Sequence, residues 1–242
     1  MICIFTFLFF MFNFYKGEVI LIDKPYTWSS FQAVNKIKHV IKNHSSLVID
    51  EIKTKAKIGH AGTLDPLATG LLIMCTGKKT KEINTFMGLD KEYTGKFKLG
   101  ATTPCFDLEK AIDKTYNTNH ITTQLIEETA KHFIGKQEQV PPLFSAVMVN
   151  GKRAYELARK GEEVELKHRP IEIKEFEITD INNLEISFRI TCSKGTYIRS
   201  IARDFGLALN SGAHLIELRR TKIGENSVEN AFTIEQFIKT LI

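Results

Sequence analysis

Asp65 is the residue whose setting best suits it to chemistry. It lies in residues 58–78, IGHAGTLDPLATGLLIMCTGK, which hold four glycines, one histidine (His60) and no other carboxylate. Gly59 and Gly62 let the backbone take conformations that other residues resist. Pro66 steers Asp65 out of the helical region and is itself suited to the first position of a helix. The pattern predicts one acidic side chain on a stiff loop, then a short helical turn, then a buried strand over the apolar run 71–75. Two readings of Asp65 stand side by side: the N-cap of an ordinary helix start, and a carboxylate held out to act as nucleophile or base. One residue can fill both roles.

A second group lies in CSKGTYIRSIARDFG, residues 192–206. Gly195 and Thr196 break a strand. A helix from Tyr197 then turns Ile198, Ile201, Phe205 and Leu209 inward, leaving Tyr197, Arg199 and Arg203 to point elsewhere. The plain reading of Arg199 is a surface cation. KEYTGKFKL, residues 91–99, alternates as a half-buried strand does and carries Tyr93, whose plain reading is a core tyrosine.

The elements that position these groups follow from periodicity and punctuation. Residues 18–22 read as a strand ending in Asp23-Lys24-Pro25. Ser29 or Ser30 caps a helix in which Phe31, Val34, Ile37 and Ile41 fall at inward spacing, with Lys36, Lys38 and Lys42 on its solvated face. Residues 43–57 form a polar connection. Residues 78–87 and 122–133 read as helices, Asn150-Gly151 as a hairpin turn, and 155–160 as a short helix ended by Gly161. Strands over 170–179 and 184–192, a last core strand over 212–218 and a closing helix over 235–241 complete the chain.

The chain has 242 residues, is 43% hydrophobic and 25% charged, and carries a net charge of +5. Those proportions suit a globular protein, and the mild basicity admits an acidic partner such as RNA. The four cysteines (Cys3, Cys75, Cys105 and Cys192) form no CxxC pair, and the seven histidines form no HxxxH pair or Cys/His cluster. That spacing argues against a disulfide framework or a zinc site and fits a reducing cytoplasm. Residues 1–14 are almost wholly apolar but too short for a span of about 20 residues. They lack the basic start and cleavage site of a signal peptide, so a packed extension or a misassigned start codon is expected rather than a membrane anchor. The expected organisation is an N-terminal extension over 1–17 and one catalytic domain over 18–242.

GHAGTLDPLATGLL resembles the signature of the TruB-type tRNA pseudouridine-55 synthases. LIDKP-x-x-x-S, PP-x-x-SA with G-x-x-AY-x-x-AR-x-G, and CSKGTYIRS match further motifs of that family in order, over about residues 18–224. Thr27 stands where the family usually has glycine, and Cys105 where a second threonine is common. The resemblance implies the pseudouridine synthase α+β fold, a central, mostly antiparallel mixed sheet flanked by helices, here without the C-terminal PUA domain that many members carry. It implies isomerisation of the uridine at position 55, in the T arm of tRNA, to pseudouridine, with Asp65 as the catalytic carboxylate and Arg199 paired with it. It also implies that His60, Tyr93, Tyr197 and Leu218 line the substrate. The reaction gains and loses no atoms, so no cofactor and no metal are expected, and no protein partner or membrane is required. A different class of function remains open on these residues: an RNA-binding or tRNA-folding protein with the same fold but no chemistry. The retained acid argues for the enzyme.

Overall fold

A computed structural model describes residues 12–49, 51–145, 147–149, 151–160 and 166–241. In chain order its elements are β1 (Val19–Lys24), α1 (Ser30–Ile41), β2 (Val48–Ile49), β3 (Ile52–Lys53), β4 (Ile58–His60), β5 (Ala68–Thr76), α2 (Ile83–Gly88), β6 (Lys91–Leu99), β7 (Ala101–Thr102), β8 (Lys114–Thr115), α3 (Thr123–His132), β9 (Gly135–Gln139), β10 (Met148–Val149), β11 (Lys152–Arg153), α4 (Ala154–Arg159), β12 (Arg169–Asn182), β13 (Glu185–Cys192), α5 (Ile198–Ala208), β14 (Ala213–Ile223), β15 (Asn226–Ser227) and α6 (Ile234–Lys239). They resolve into two compact units, one formed by Met1–Met87 with Glu225–Ile242 and the other by Gly88–Gly224.

In the first unit β5 runs antiparallel to β1 along one edge and to β4 along the other. All but one of its residues are buried, as expected of a strand covered on both faces. Helix α1 begins at Ser29, whose hydroxyl accepts from Gln32 while the Gln32 side chain reaches back to the Ser29 N–H, a reciprocal cap. Ala33, Val34, Ile37 and Ile41 face a core shared with Ile20 and Ile22 of β1, Leu72 and Met74 of β5, and Ile234 and Phe237 of α6. Phe31 departs from the expected inward face. It is 69% exposed, and Ser30 takes the inward place at the helix start. Phe14 is buried in the same core and Phe12 packs against it, so this part of the apolar N-terminal stretch is packed; residues 1–11 lie outside the described residues.

Two further expectations change in this unit. No helix follows Asp65: the amide of Ala68 donates to the Asp65 carbonyl at 3.1 Å, closing a turn with Pro66 inside it, and the chain enters β5 directly. The expected helix over 78–87 divides into a 3-10 segment, Gly77–Glu82, and the short α2.

Thr27 has φ of +68°, the left-handed region that glycine enters freely and a β-branched residue resists. Its hydroxyl donates to the Tyr26 carbonyl at 2.6 Å, one local compensation. Replacing Thr27 by glycine relieves about 1–2 kcal/mol of strain and returns about half of it through the freer unfolded chain. Thermal unfolding of Thr27→Gly is expected to shift upward by roughly 2–4 °C. An unchanged or lower midpoint would show that the turn tolerates threonine without cost.

The second unit is built on antiparallel ladders in the order β14, β6, β13, β12, β9. Alternate residues of β6 (Lys91, Tyr93, Gly95, Phe97 and Leu99) form its buried row. Phe97 meets Phe188 of β13, Phe176 of β12 and Phe205 of α5 at ring-centroid distances of 4.2, 6.3 and 5.7 Å, so this row faces the helix. Phe133, at the end of α3, closes the cluster against Phe176 and Phe205. The expected last strand over 212–218 extends to Ile223, bringing the Leu-Arg-Arg-Thr segment into β14. The hairpin expected at Asn150-Gly151 joins β10 to β11, with Gly151 at φ of +79°; Asn150 and Gly161 lie outside the described residues.

Candidate active site

Asp65 is half-buried in its turn, and the turn is fixed from both sides by side chains that come before it in the chain. On one side the Ser30 hydroxyl accepts from the Leu64 amide at 2.8 Å and donates to the Leu64 carbonyl at 3.1 Å. On the other, Lys24 Nζ donates to the Pro66 carbonyl at 3.4 Å and to the carbonyls of Pro25 and Trp28 at 2.9 and 2.6 Å. Lys24 is fully buried. A buried ammonium is tolerated only where such donors are satisfied, and here they tie the Asp65 turn to the loop after β1. His60 ends β4, opposite Met74 of β5, and is half-buried five residues before Asp65. The reading of Asp65 as a helix cap falls, because the turn leads into a strand. The carboxylate therefore has no capping duty in a helix.

Ser30 thus holds the backbone of the Asp65 turn. In Ser30→Ala the buried Leu64 amide and carbonyl lose their partner, a cost of about 1–3 kcal/mol. The expected kinetic result is a fall in kcat with little change in KM, and Ser30→Thr recovering part of it. An equal rise in KM at constant kcat would assign Ser30 to substrate binding instead.

In the second unit Arg199 occupies the first turn of α5 and is only 4% exposed, which removes the surface-cation reading. Its guanidinium donates to the carbonyls of Cys105 at 3.2 Å and Phe144 at 2.9 Å, and its Nε lies 3.6 Å from Oδ2 of Asp107. Asp107 is equally buried. It is held by a bond from the Glu109 amide to its Oδ1 and by the Thr103 hydroxyl on its carbonyl. Burial pushes the Cys105 thiol up, so the group beside this cation stays neutral.

Tyr197 precedes α5, and its peptide is bracketed by Gln139, which accepts from the Tyr197 amide at 2.9 Å and donates to its carbonyl at 3.1 Å. The Arg169 guanidinium lies 5.5 Å from the Tyr197 ring centroid, a cation–π contact that fixes the ring. Tyr93 is buried on β6 between Ile190 of β13 and Arg220 of β14. Leu218 is buried on β14 opposite Gly95. A Cβ on Gly95 would stand 2.2 Å from the Glu217 carbonyl oxygen, so only glycine lets β14 approach β6 here. Tyr93, Leu218 and Arg220 thus share one face of the sheet. Lys91 extends that row; burial, with the Arg220 cation beside it, holds its ammonium down to about 8. Among the described residues no group of His, Cys, Asp and Glu side chains is arranged to hold a metal ion.

The family model described as "TruB family pseudouridylate synthase (N terminal domain)" matches residues 50–198, and "tRNA pseudouridylate synthase B C-terminal domain" matches residues 199–242. The chain belongs to the TruB family. It is 58% identical over 226 residues to the tRNA pseudouridine synthase B of Flavobacterium johnsoniae, covering 93% of this chain and 96% of that protein. It is 55% identical over 225 residues to the protein of that name from Phocaeicola vulgatus, with 93% of each covered. A solved structure, a Cbf5-Nop10-Gar1 complex, contains a chain that superposes with a TM-score of 0.68 at 28% identity over 94% of this chain; this chain spans 55% of that one. The fold is the pseudouridine synthase α+β fold.

Three residues that hold the candidate groups within their own units escaped sequence reasoning. Lys24 had a usable signal: it follows Ile20 and Ile22 at a spacing of two, so its side chain falls in the buried row of β1. A lysine in a buried row needs partners. Ser30 was legible only as a possible cap. Asp107 carried no local signal, because nothing in residues 103–109 marks it as the partner of a cation about ninety positions away.

Proposed function

We propose that this chain isomerises the uridine at position 55 in the T loop of tRNA to pseudouridine. The N1–C1′ glycosidic bond breaks, the uracil turns, and a C5–C1′ bond forms, with one proton leaving C5 and one taken up at N1. The observation that carries the reading is the Asp65 turn, held at Leu64 by Ser30 and at Pro66 by Lys24. A carboxylate fixed at both neighbours is oriented before substrate arrives, which lowers the entropic part of the barrier. Asp65 acts as the reacting carboxylate in this proposal, and Arg199 supplies the cation that favours its ionised form.

The uridine must leave its stack to be reached, at a cost of a few kcal/mol. An aromatic surface returns about 1–3 kcal/mol per stacked base. Tyr197, its ring fixed by Arg169, is suited to that task, with Tyr93, Leu218 and His60 as further substrate-lining groups. The deciding experiment incubates the protein alone with an unmodified tRNA transcript and maps pseudouridine by nucleotide digest and site-specific chemistry. Product confined to position 55, absent when that uridine is replaced by cytidine, is expected. Tight tRNA binding with no product would overturn the enzyme reading and leave an RNA-binding protein.

A further inference from the structure

A cleft of about 550 Å³ opens beside the last turns of α1, well along the helix from the end that touches the Asp65 turn. Lys38 and Lys42 line it from α1 and its C-cap, Lys53 from β3, and Lys55 from the segment that leads into β4, with Asn43 and Thr54 between them. We infer that this cleft binds backbone phosphates of the RNA substrate, a few nucleotides from the reacting uridine.

Charge carries the first part of the argument. Among the described residues no carboxylate lines the cleft, and none of the four lysines is ion-paired with one. The helix dipole accounts for cations near the end of α1 and would explain Lys38 and Lys42. It does not explain Lys53 and Lys55, which approach from a different segment. Four ammonium groups around one concavity repel one another, and an anion in the cleft relieves that repulsion. The walls are fixed. Thr54 bonds the Leu47 carbonyl through both its amide, at 2.7 Å, and its hydroxyl, at 2.8 Å, and Lys53 Nζ donates to Asn43 Oδ1 at 2.7 Å.

Distance carries the second part. Ser30 starts α1 and bonds Leu64, next to Asp65. At 1.5 Å per residue, Lys38 lies about 12 Å and Lys42 about 18 Å further along the helix. A B-form strand advances ~3.4 Å per nucleotide and the A-form strand of an RNA duplex less, so the cleft falls roughly four to six nucleotides from a uridine placed at the acid. That spacing reaches from the loop of a hairpin into its stem.

This inference rests on tRNA being the substrate, and the test separates the two. Binding of a tRNA transcript is measured against salt for wild type, for the quadruple variant Lys38→Gln/Lys42→Gln/Lys53→Gln/Lys55→Gln, for the matching quadruple arginine variant, and for Lys38→Glu/Lys42→Glu, which alters only exposed positions at the end of α1. Single-turnover rate at saturating RNA is read alongside. The glutamine variant is expected to lose two or three from the log–log salt slope, at about 0.7–0.9 per phosphate, and to bind at least tenfold more weakly near 0.1 M salt. Its saturated rate stays at the wild-type value. The arginine variant keeps the slope, and the double glutamate variant weakens binding at least as much as the glutamine one. An unchanged slope, or an arginine variant as weak as the glutamine one, overturns the cleft. Wild type that binds with the steep slope yet makes no pseudouridine overturns the proposed activity and leaves the cleft standing.

Discussion

Asp65→Asn is expected to bind tRNA within about tenfold of wild type, roughly 1.4 kcal/mol, and to form no detectable pseudouridine in a single turnover. The substitution keeps the side-chain volume and tolerates the same turn. The backbone on either side stays held by Ser30 on Leu64 and Lys24 on Pro66, neither of which involves the carboxylate. What is lost is the negative charge and the ability to attack or to take a proton. The result therefore isolates chemistry from folding and from binding. Single-turnover product at a rate near wild type would remove Asp65 from the mechanism. Loss of both product and binding would assign it to RNA recognition.

The second large effect concerns Arg199, and it divides stability from catalysis. Its guanidinium is buried against Asp107 and two backbone carbonyls. Arg199→Met keeps much of the packing but leaves the Asp107 carboxylate buried without that cation, a loss of about 3–5 kcal/mol. Chemical denaturation should report it directly. Adding Asp107→Leu removes the stranded charge and is expected to restore most of that stability, since a buried pair replaced by apolar groups is often neutral. Turnover, by contrast, stays orders of magnitude below wild type in both variants. On the proposed pairing of Arg199 with Asp65, the acidic limb of the rate profile moves to higher pH, because the reacting carboxylate would lose the cation assigned to favour its ionised form. Arg199→Lys recovers only part of the rate, as an ammonium lacks the planar fork. If the restored double variant were as active as wild type, Arg199 would be a structural residue alone.

Much of this architecture was legible because its cause is local. The strand Lys91–Leu99 alternates over nine residues, and the structure keeps both its limits and its buried row. The helix expected over 122–133 forms over Thr123–His132, with Thr122 as its cap. Capping chemistry at Ser29 was equally readable. The misreadings share one origin, a local rule overridden by a distant contact. Asp65-Pro66 follows every rule for a helix start, yet the chain is drawn into β5, which is paired on both edges. Phe31 matched the inward spacing, but Ser30 is needed there to hold Leu64. Arg199 looked like a surface cation because its partners, at 105, 107 and 144, are invisible from its own helix. Six functional assignments (Asp65, Arg199, His60, Tyr93, Tyr197 and Leu218) came from motif resemblance. Periodicity alone placed their elements and left their roles open.

The first unit is assembled from two stretches of chain separated by the whole of Gly88–Gly224. Ile234 and Phe237 fill the core beside Phe14, Ile20 and Ile22, and the backbone of Phe232 bonds both Leu21 and Asp23 of β1. A growing polypeptide emerging from the ribosome therefore meets an ordering constraint. The second unit has all its own strands in hand once Gly224 is made, whereas the unit carrying Asp65 waits for residues 225–241. Closing so long an intervening segment is entropically modest, since each doubling of loop length costs only about 0.6 kcal/mol. It becomes easier still if the intervening segment has already folded and holds its ends at fixed positions. The acid turn is thus among the last parts of the molecule to be locked. Until then β1, paired with β5 along one side, lacks on the other the backbone partner that Phe232 provides.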